Sequence, residues 1–324
     1  MNGVLLSRVG ISVMAVILLV ALVVTFYVSS EPEPFAPAEL ISSSDSVTGS
    51  ATVLTLVKVT ETLLDKRGGY VTNDVLPPFI LLDDMPAWEF GVLTQVRDLA
   101  RSLRNDFSRS QTQSLEHALL ASADPQLSMP NDSWAFPASE SEYRKGIRAL
   151  RAFQAQLGEP GQTDAQFYAR ADNLRSWLAL VQKRLGGVAQ QLAASVGEQR
   201  FNTDLAGDAA AEQSTRAPAM ETVATPWLQI DDVFYEARGS AWALLHFLKA
   251  VEIDFASVLE KKNARVSLQQ IIRALEGSLQ PVTSPMVLNG DGYGLMANYS
   301  LTMTSYISRA NAALIELRSL LSDG

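Results

Sequence analysis

The chain has 324 residues, of which 47% are hydrophobic, and it carries a formal net charge of −9 with no cysteine. The acidic balance argues against binding to nucleic acid and against a general attraction to anionic lipid, since both depend on a surplus of lysine and arginine. The lack of cysteine excludes disulfide bonds, and it excludes a lipoprotein, whose lipid that residue would carry.

The N-terminal region carries the signal of a membrane helix. Residues 9–28 include no charged side chain. A helix of this length is about 30 Å long and spans the hydrocarbon core of a bilayer. Arg8 precedes the stretch, whereas Glu31, Glu33 and Asp45 follow it. The positive-inside rule therefore predicts a single-pass inner-membrane protein of a Gram-negative bacterium, with residues 1–8 in the cytoplasm, residues 9–28 as the anchor and the rest in the periplasm.

A cleaved signal peptide is the alternative interpretation of this stretch. The apolar run of a signal peptide is about 7 to 15 residues long and ends in a small-x-small cleavage site. Here the run is longer, and the candidate site Ala36-Pro37-Ala38 lies well beyond it. The sequence therefore favours an uncleaved anchor.

Beyond the anchor, the chain divides into a linker and a helical body. Residues 29–50 are rich in serine and proline, which predicts a flexible spacer with an end-to-end distance of about 25 Å. The body, residues 51–324, is predicted to be all-α. Its first helix covers 51–66 and is capped by Ser50. A second helix starts at Pro86 and runs at least to Phe107, and residues 108–120 are expected to continue it.

The remaining helices follow from capping motifs and periodicity. Residues 122–137 are predicted to be a loop, and capping boxes predict helix starts at Ser139 and Thr163. Apolar residues then alternate at spacings of four and three over 167–192 and again over 230–258, which is typical of coiled-coil seams. Shorter patterns predict helices over 266–279 and 299–320. We expect an elongated antiparallel bundle with coiled-coil-like seams, which could close within one chain or between copies in a homo-oligomer.

One long segment lacks a helical pattern. Residues 197–225 are rich in alanine, threonine and acidic side chains and show little periodicity. A loop of this length is unusual inside a folded domain. We expect a mobile loop, which is either disordered or forms a lid over another part of the protein.

Two stretches of the body identify a family resemblance. These are KRGGYVTNDVLPP at residues 66–78 and DDMPAWEFG at residues 83–91. The chain resembles, close to its full length, an uncharacterised family of bacterial membrane proteins designated domain of unknown function 2333. The resemblance implies a protein of the Gram-negative envelope. It implies no activity, cofactor or catalytic residue.

The residues themselves do not point to a catalytic or metal centre. The two histidines, His117 and His246, belong to no Glu-x-x-His or His-x-x-x-His pair. We expect His246 to lie in the core or at its flank, and we expect no metal and no cofactor. The aspartate pairs 83–84 and 231–232 could do acid–base chemistry. Both pairs stand at predicted helix starts, however, where the macrodipole alone favours negative charge.

A candidate interaction surface combines a loop after the first helix with two cationic helical faces. Three arginines recur at i, i+4 and i+7 on each of two helices, a spacing that places each trio on one face. They could bind a phosphate, a carboxylate or an acidic partner, and they could equally pair with acidic residues of the chain itself. The members of this surface are Arg67, Tyr70, Asn73, Asp74, Trp88, Arg97, Arg101, Arg104, Arg144, Arg148 and Arg151.

These features predict an interaction or scaffold protein of the cell envelope with a protein partner there, and a subunit of a membrane assembly is one form that this role could take. An envelope enzyme acting on peptidoglycan or lipid, with loops 68–86 and 280–297 as its cleft, is the alternative of a different class. A ligand-binding sensor is a third interpretation. It is weakened because only about eight residues precede the anchor and offer no cytoplasmic output.

Overall fold

The described residues form an all-helical protein with one short strand pair. The computed structural model describes residues 2–41, 47–110, 115–159, 161, 164–201, 220–284, 286–292 and 294–322. Its helices are α1 Asn2–Val28, α2 Ser50–Asp65, α3 Asp84–Ser102, α4 Ala118–Leu127, α5 Ser139–Leu157, α6 Ala171–Ala193, α7 Ile230–Asp254, α8 Ala256–Lys261, α9 Arg265–Ser278 and α10 Tyr299–Ser322. The strands are β1 Glu198–Phe201 and β2 Met220–Val223. The predicted all-α class is confirmed.

The centre of the body is the pair α3 and α7. The two helices run in the same direction, since Trp88 meets Trp242 in the first part of α3 while Phe107 meets Phe255 beyond the ends of both helices. Glycines permit their close approach: a Cβ at Gly239 would lie 2.0 Å from the carbonyl oxygen of Trp88. One layer, made of α2, α4 and α5, flanks this pair, and α6, α9 and α10 form the other. Helices α2 and α5 pack antiparallel to each other. Arg144 near the start of α5 pairs with Asp65 at the end of α2, and Arg151 further along α5 pairs with the earlier residue Glu61.

The heptad positions of α6 and α7 face the core of a single chain. Leu174, Leu178, Val181 and Leu185 of α6 are buried, and α6 packs chiefly on α10. Apolar positions all around the second half of α7 are buried as well, which is typical of a central core helix. The coiled-coil character of the seams stays a prediction.

Local signals placed several helix boundaries where the structure has them. Helix α5 covers the predicted residues 139–157, and α2, α9 and α10 begin and end within two residues of the predicted bounds. Ser50, however, is the first residue of α2 and not its cap. The cap is Asp254 of α7, whose carboxylate accepts hydrogen bonds from the backbone N–H groups of Gly49 and Thr52 at 2.8 and 2.7 Å.

Four predictions about helices were wrong for tertiary reasons. The second helix does not continue over 108–120, since it ends in a π-helical turn at Phe107 and residues 108–110 and 115–117 are not helical. Residues 118–127 form α4 although a loop was predicted over 122–137. Pro125 stands in the last turn of this helix, and Leu127 packs against Gly146 of α5. Thr163 lies outside the described residues, and 164–170 are not helical. The Tyr168 N–H donates to the carbonyl of Phe107 at 2.7 Å, so α6 begins only at Ala171. The predicted helix over 230–258 ends at Asp254, where Phe255 enters the core between Phe107 and Phe167.

The segment predicted as a mobile loop is described only at its ends. Residues 198–201 and 220–223 pair as antiparallel strands, with Glu198 opposite Val223. Periodicity did not indicate this pairing, because four residues per strand are too few for a pattern. Residues 202–219 lie outside the described residues.

Candidate functional site

The candidate site is the place where α1 joins the body, which we call the anchor junction. It consists of the last turn of α1, residues 29–41 and the surfaces of the body that they contact. Val28 is buried and belongs to the main hydrophobic core. It lies over Gly68, where φ is +84° and a Cβ would come within 2.6 Å of a Val28 methyl group. A side chain at position 68 would therefore displace α1.

The loop residue next to this glycine also contacts α1. The Arg67 guanidinium lies 5.5 Å from the centre of the Tyr27 ring and donates a hydrogen bond to the Ser30 hydroxyl at 3.2 Å. Apart from these last turns, the apolar stretch of α1 is exposed, and only 6% of its most apolar window is buried. Among the side chains of α1 that the structure describes, those that touch the body lie at the C-terminal end of the helix.

After α1 the chain lies along α7, which corrects the prediction of a free spacer. Glu31 forms a bidentate ion pair with Arg238, at 2.6 and 2.7 Å. The Arg238 side chain is buried, and it also donates to the carbonyls of Ser278 and Gln280 at the end of α9. One arginine therefore joins the segment after α1, helix α7 and the loop after α9.

The same segment is held a second time by His246. The Phe35 N–H donates to Nε2 of His246 at 3.0 Å, and the two rings stack with centroids 4.0 Å apart. His246 Nδ1 lies 2.6 Å from the carbonyl oxygen of Trp242. Burial lowers the pKa of His246 to about 4. The ring is therefore neutral at pH 7, with Nδ1 donating and Nε2 accepting, and the predicted core position of this histidine is confirmed.

A buried ion pair organises the loop that contacts α1. Lys66 lies 2.5 Å from Glu89, and both side chains are almost completely inaccessible. Glu89 also accepts hydrogen bonds from the backbone N–H groups of Val71 and Thr72, each at 2.9 Å, and from the Thr72 hydroxyl. Burial raises the pKa of Glu89, while the Lys66 ammonium and these donors lower it. The network is satisfied within the chain, so its role is to shape residues 66–74.

Three members of the predicted interaction surface are buried, which corrects their assignment. Trp88 is fully buried between α3 and α7. The Tyr70 hydroxyl donates to the carbonyl of Asn131 at 3.0 Å, and Asn73 donates to the carbonyl of Ser133 and to Glu140 at 2.8 and 2.7 Å. These groups hold the 128–138 loop against residues 70–73. Asp74 is half-buried beside them.

Most arginines of the two predicted cationic faces bind to other groups of the same chain. Arg97 donates to the carbonyls of Leu127 and Met129, and Arg104 pairs with Asp124 at 2.8 Å. On α5, Arg144 pairs with Asp65 and Arg151 with Glu61. Arg101 and Arg148 are exposed. Of the two trios, these two arginines are the ones that are exposed and have no ion pair among the described residues.

The structure brings together the two aspartate pairs that the sequence had singled out. They stand at the starts of α3 and α7, near Glu31. Burial, together with the negative charges of Asp83, Asp231 and Asp232, raises the pKa of Asp84 to about 7. One carboxylate oxygen of Asp84 is buried without a hydrogen-bond partner among the described residues. A single sequence could not show this clustering, because the pairs are far apart in the chain.

A cleft of about 310 Å³ opens at the anchor junction. Residues 29–34 form one wall, and the other is formed by Tyr235, Arg238, Trp242, Leu279, Pro281 and Val282. Within the described ranges, no three His, Cys, Asp or Glu side chains are grouped so that they could hold a metal ion.

Apart from Arg67, sequence reasoning missed the residues that join α1 and the following segment to the body. Arg238 stands among buried small and aromatic residues of α7, and a lone arginine in such a setting usually has a buried acidic partner. That signal could have suggested an ion pair. It could not have identified Glu31, which is 207 positions away.

Fold and site together define a class: an all-helical protein whose N-terminal helix is long and apolar enough to span a membrane and is packed at its end into the body. The chain belongs to the family of uncharacterised proteins conserved in bacteria, DUF2333, whose match covers residues 1–324. No curated protein and no solved structure matches the chain.

Proposed function

We propose that this protein is a single-pass inner-membrane protein whose body lies in the periplasm and acts as an interaction or scaffold module of the cell envelope. The anchor junction carries this proposal. Val28, Glu31 and Phe35 are all structural parts of the body. Cleavage after Ala38 would remove all three and leave the buried Arg238 without its carboxylate, and an uncompensated buried charge costs about 3–5 kcal/mol. The packing therefore supports an anchor that is retained.

Retention of the anchor can be tested directly. Protein purified from bacterial membranes should have the intact mass of residues 1–324 and should resist extraction from the membranes at alkaline pH. A mature chain that begins near residue 39 and is released from spheroplasts would contradict the anchor.

Charge supports the proposed topology, and the rigidity of the junction supports the proposed scaffold role. Arg8 before α1 and the acidic residues after it support a periplasmic body. Because the junction has buried contacts in place of a free linker, the body keeps one position relative to α1. A fixed position near the membrane suits a subunit that meets an envelope partner there. The exposed Arg101 and Arg148 are the candidate contacts for acidic groups of that partner.

The partner can be sought with a photo-crosslinking amino acid in place of Arg101 or Arg148, in cells at native abundance. We expect crosslinks to another envelope protein from these positions. Arg175 is an exposed arginine on α6, in the opposite flanking layer, and provides the control. Charge reversal at the arginine that does not carry the crosslinker should weaken the crosslinks and leave the helical content unchanged. If all the crosslinks from these positions lay within the protein itself, the scaffold function would be contradicted.

The raised pKa of Asp84 favours a second candidate, an envelope hydrolase that uses this carboxyl as a proton donor. A carboxylic acid with a pKa near 7 can donate a proton at neutral pH. Tyr235 links Asp84 to the junction cleft. Burial and, after it, the charge of Asp84 raise the pKa of this tyrosine, and its side chain lines the cleft. Purified protein incubated with peptidoglycan or phospholipid should then form product, and Asp84→Asn should not. No product from the unchanged protein would rule out this function.

A further inference from the structure

The loops around the anchor junction all lie at one end of the body, which we call the junction end. Residues 66–74 contact α1 through Arg67 and Gly68. The 128–138 loop is bonded to residues 70–73. The start of the 279–298 loop is bonded to Arg238, which also holds Glu31.

The loop before α7 completes the junction end. Asn289 donates to the carbonyl of Ser195 at 2.9 Å, and the Thr225 N–H donates to the carbonyl of Ala194. The Tyr299 ring contacts that of Phe234, one turn before Arg238. The segments 194–196, 225–229 and 289–299 are thus neighbours, beside the loops that surround the end of α1.

Large apolar side chains are exposed on each of these loops. Outside α1, the exposed aromatic residues of the described chain are Phe90 in the second turn of α3, Trp134, Phe136 and Trp227. Aliphatic side chains accompany them: Leu76 and Ile80 on the loop before α3, Leu228 beside Trp227, and Leu295 and Met296 before α10. Phe136 and Leu295 are completely exposed.

The distribution of tryptophan illustrates the asymmetry. Trp88, Trp177 and Trp242 are buried in the core, whereas Trp134 and Trp227 are 65% and 77% exposed. Both exposed tryptophans are at the junction end. The opposite end exposes aliphatic side chains such as Leu115 and Val266 but no aromatic residue among those described. Aromatic rings are enriched where a protein meets the boundary between lipid and water.

From this arrangement we infer that the junction end is a membrane-contacting face, on which the tips of four loops insert into the interfacial region of the bilayer that α1 spans. The inference rests on the proposed anchor, because α1 brings this end of the body to the lipid surface. The four tips are residues 75–80, 134–136, 227–228 and 295–296. Val28 is in the core, so no linker separates the loops from the membrane.

Charge indicates how the face binds. The junction end carries Glu31 and the cluster of Asp83, Asp84, Asp231 and Asp232. Its binding therefore depends on apolar insertion and not on anionic headgroups. It should be insensitive to raising NaCl from about 0.1 M to about 1 M, which shortens the Debye length from about 10 Å to about 3 Å.

The natural lack of cysteine allows a direct test with single-cysteine variants of the full-length protein. Leu76→Cys, Trp134→Cys, Trp227→Cys and Leu295→Cys are labelled with an environment-sensitive fluorophore and reconstituted in phosphatidylcholine vesicles. Lipids with a shallow nitroxide quencher should reduce the fluorescence about twofold or more at these positions, as expected for insertion at the headgroup boundary. Leu115→Cys, an equally exposed leucine at the opposite end, should not be quenched.

A label in the middle of α1, at Leu18→Cys, separates the two proposals. Deep quenching at position 18 with unquenched loop labels would overturn the membrane-contacting face and leave the anchor intact. No quenching at position 18 would overturn the anchor itself. Loop labels that are shielded from water but not quenched by lipid would show a protein partner or a second copy on this face, and would also overturn the inference. Quenching that requires phosphatidylglycerol, or that is lost in high salt, would contradict binding by apolar insertion.

Discussion

At the scale of single residues, the Lys66–Glu89 pair is a polar contact whose two side chains are almost completely buried. Either Lys66→Met or Glu89→Gln leaves one buried charge without its partner, which should lower the free energy of unfolding by about 3–5 kcal/mol. The double variant should cost less than the sum of the two, since it removes both charges. Denaturant unfolding of the full chain in mild detergent, followed by circular dichroism, measures these differences.

The exposed pair Arg144–Asp65 is the matched control for this prediction. It has a similar N–O distance of 2.8 Å, but both side chains are about half exposed. Arg144→Met should therefore cost less than about 1 kcal/mol. Equal losses from the buried and the exposed pair would refute the role that we assign to Lys66 and Glu89.

His246 should make the stability of the body depend on pH. Its pKa of about 4 in the folded protein lies below its ordinary value of 6.5, so the folded state favours the neutral ring. This contribution is complete above pH 6.5 and is lost as the pH falls through 6.5 towards about 4. The loss should amount to about 3 kcal/mol.

The comparison with His246→Gln isolates this effect, because glutamine can still accept from Phe35 and donate to Trp242 but does not titrate. Asp84 changes stability with the opposite sign, since an acid with a raised pKa loses stability as the pH rises. That contribution is common to both proteins and cancels in the difference. If the difference in the free energy of unfolding between the two proteins stayed constant between pH 4 and 7, the neutral, hydrogen-bonded histidine would be contradicted.

At the scale of helices, the α3–α7 contact depends on the absence of side chains at two positions. A Cβ at Gly239 would lie 2.0 Å from the Trp88 carbonyl oxygen, and one at Gly91 would lie 2.1 Å from that of Glu236. Backbone atoms cannot move aside as a flexible side chain can, so Gly239→Ala should cost about 3 kcal/mol or more. Thermal unfolding provides the measurement.

Gly187 on the exposed face of α6 is the control for this substitution, because nothing lies within 4 Å of a Cβ there. Gly187→Ala should stabilise the protein by about 0.5–1 kcal/mol through helix propensity. If both alanine variants raised the melting temperature, the two central helices could not be as close as described.

At the scale of the whole molecule, the anchor junction determines whether body and α1 move together. Arg238→Gln removes the ion pair with Glu31 and two bonds to the loop after α9. Residues 29–41 should then detach, and hydrogen exchange at the Phe35 amide, which His246 protects, should become faster by about tenfold or more. Arg309→Gln, on the exposed face of α10, should leave this exchange unchanged. An equally slow Phe35 amide in both variants would show that the Glu31–Arg238 pair does not hold the segment.

Much of the helical architecture was predictable because its causes are local. The capping motif at Ser139, the glycines after Lys66 and the apolar stripes of α9 and α10 are interactions between near neighbours in the chain, so the sequence displays them directly. The uncharged run over 9–28 is local in the same sense. For this reason the all-α class and the membrane-spanning length of α1 were determined by the sequence alone.

Tertiary structure decided what depends on partners far apart in the chain. The Asp254 carboxylate caps α2 by accepting from Thr52, which is 202 positions away in the chain. His246 accepts from the Phe35 amide, which is 211 positions away. Such partners turned the expected spacer into a packed segment and paired most of the arginines that looked free. They also placed the exposed aromatic loops at the end where α1 leaves the body. The physical reason is that burial and charge pairing depend on distance in space, which a single sequence does not contain.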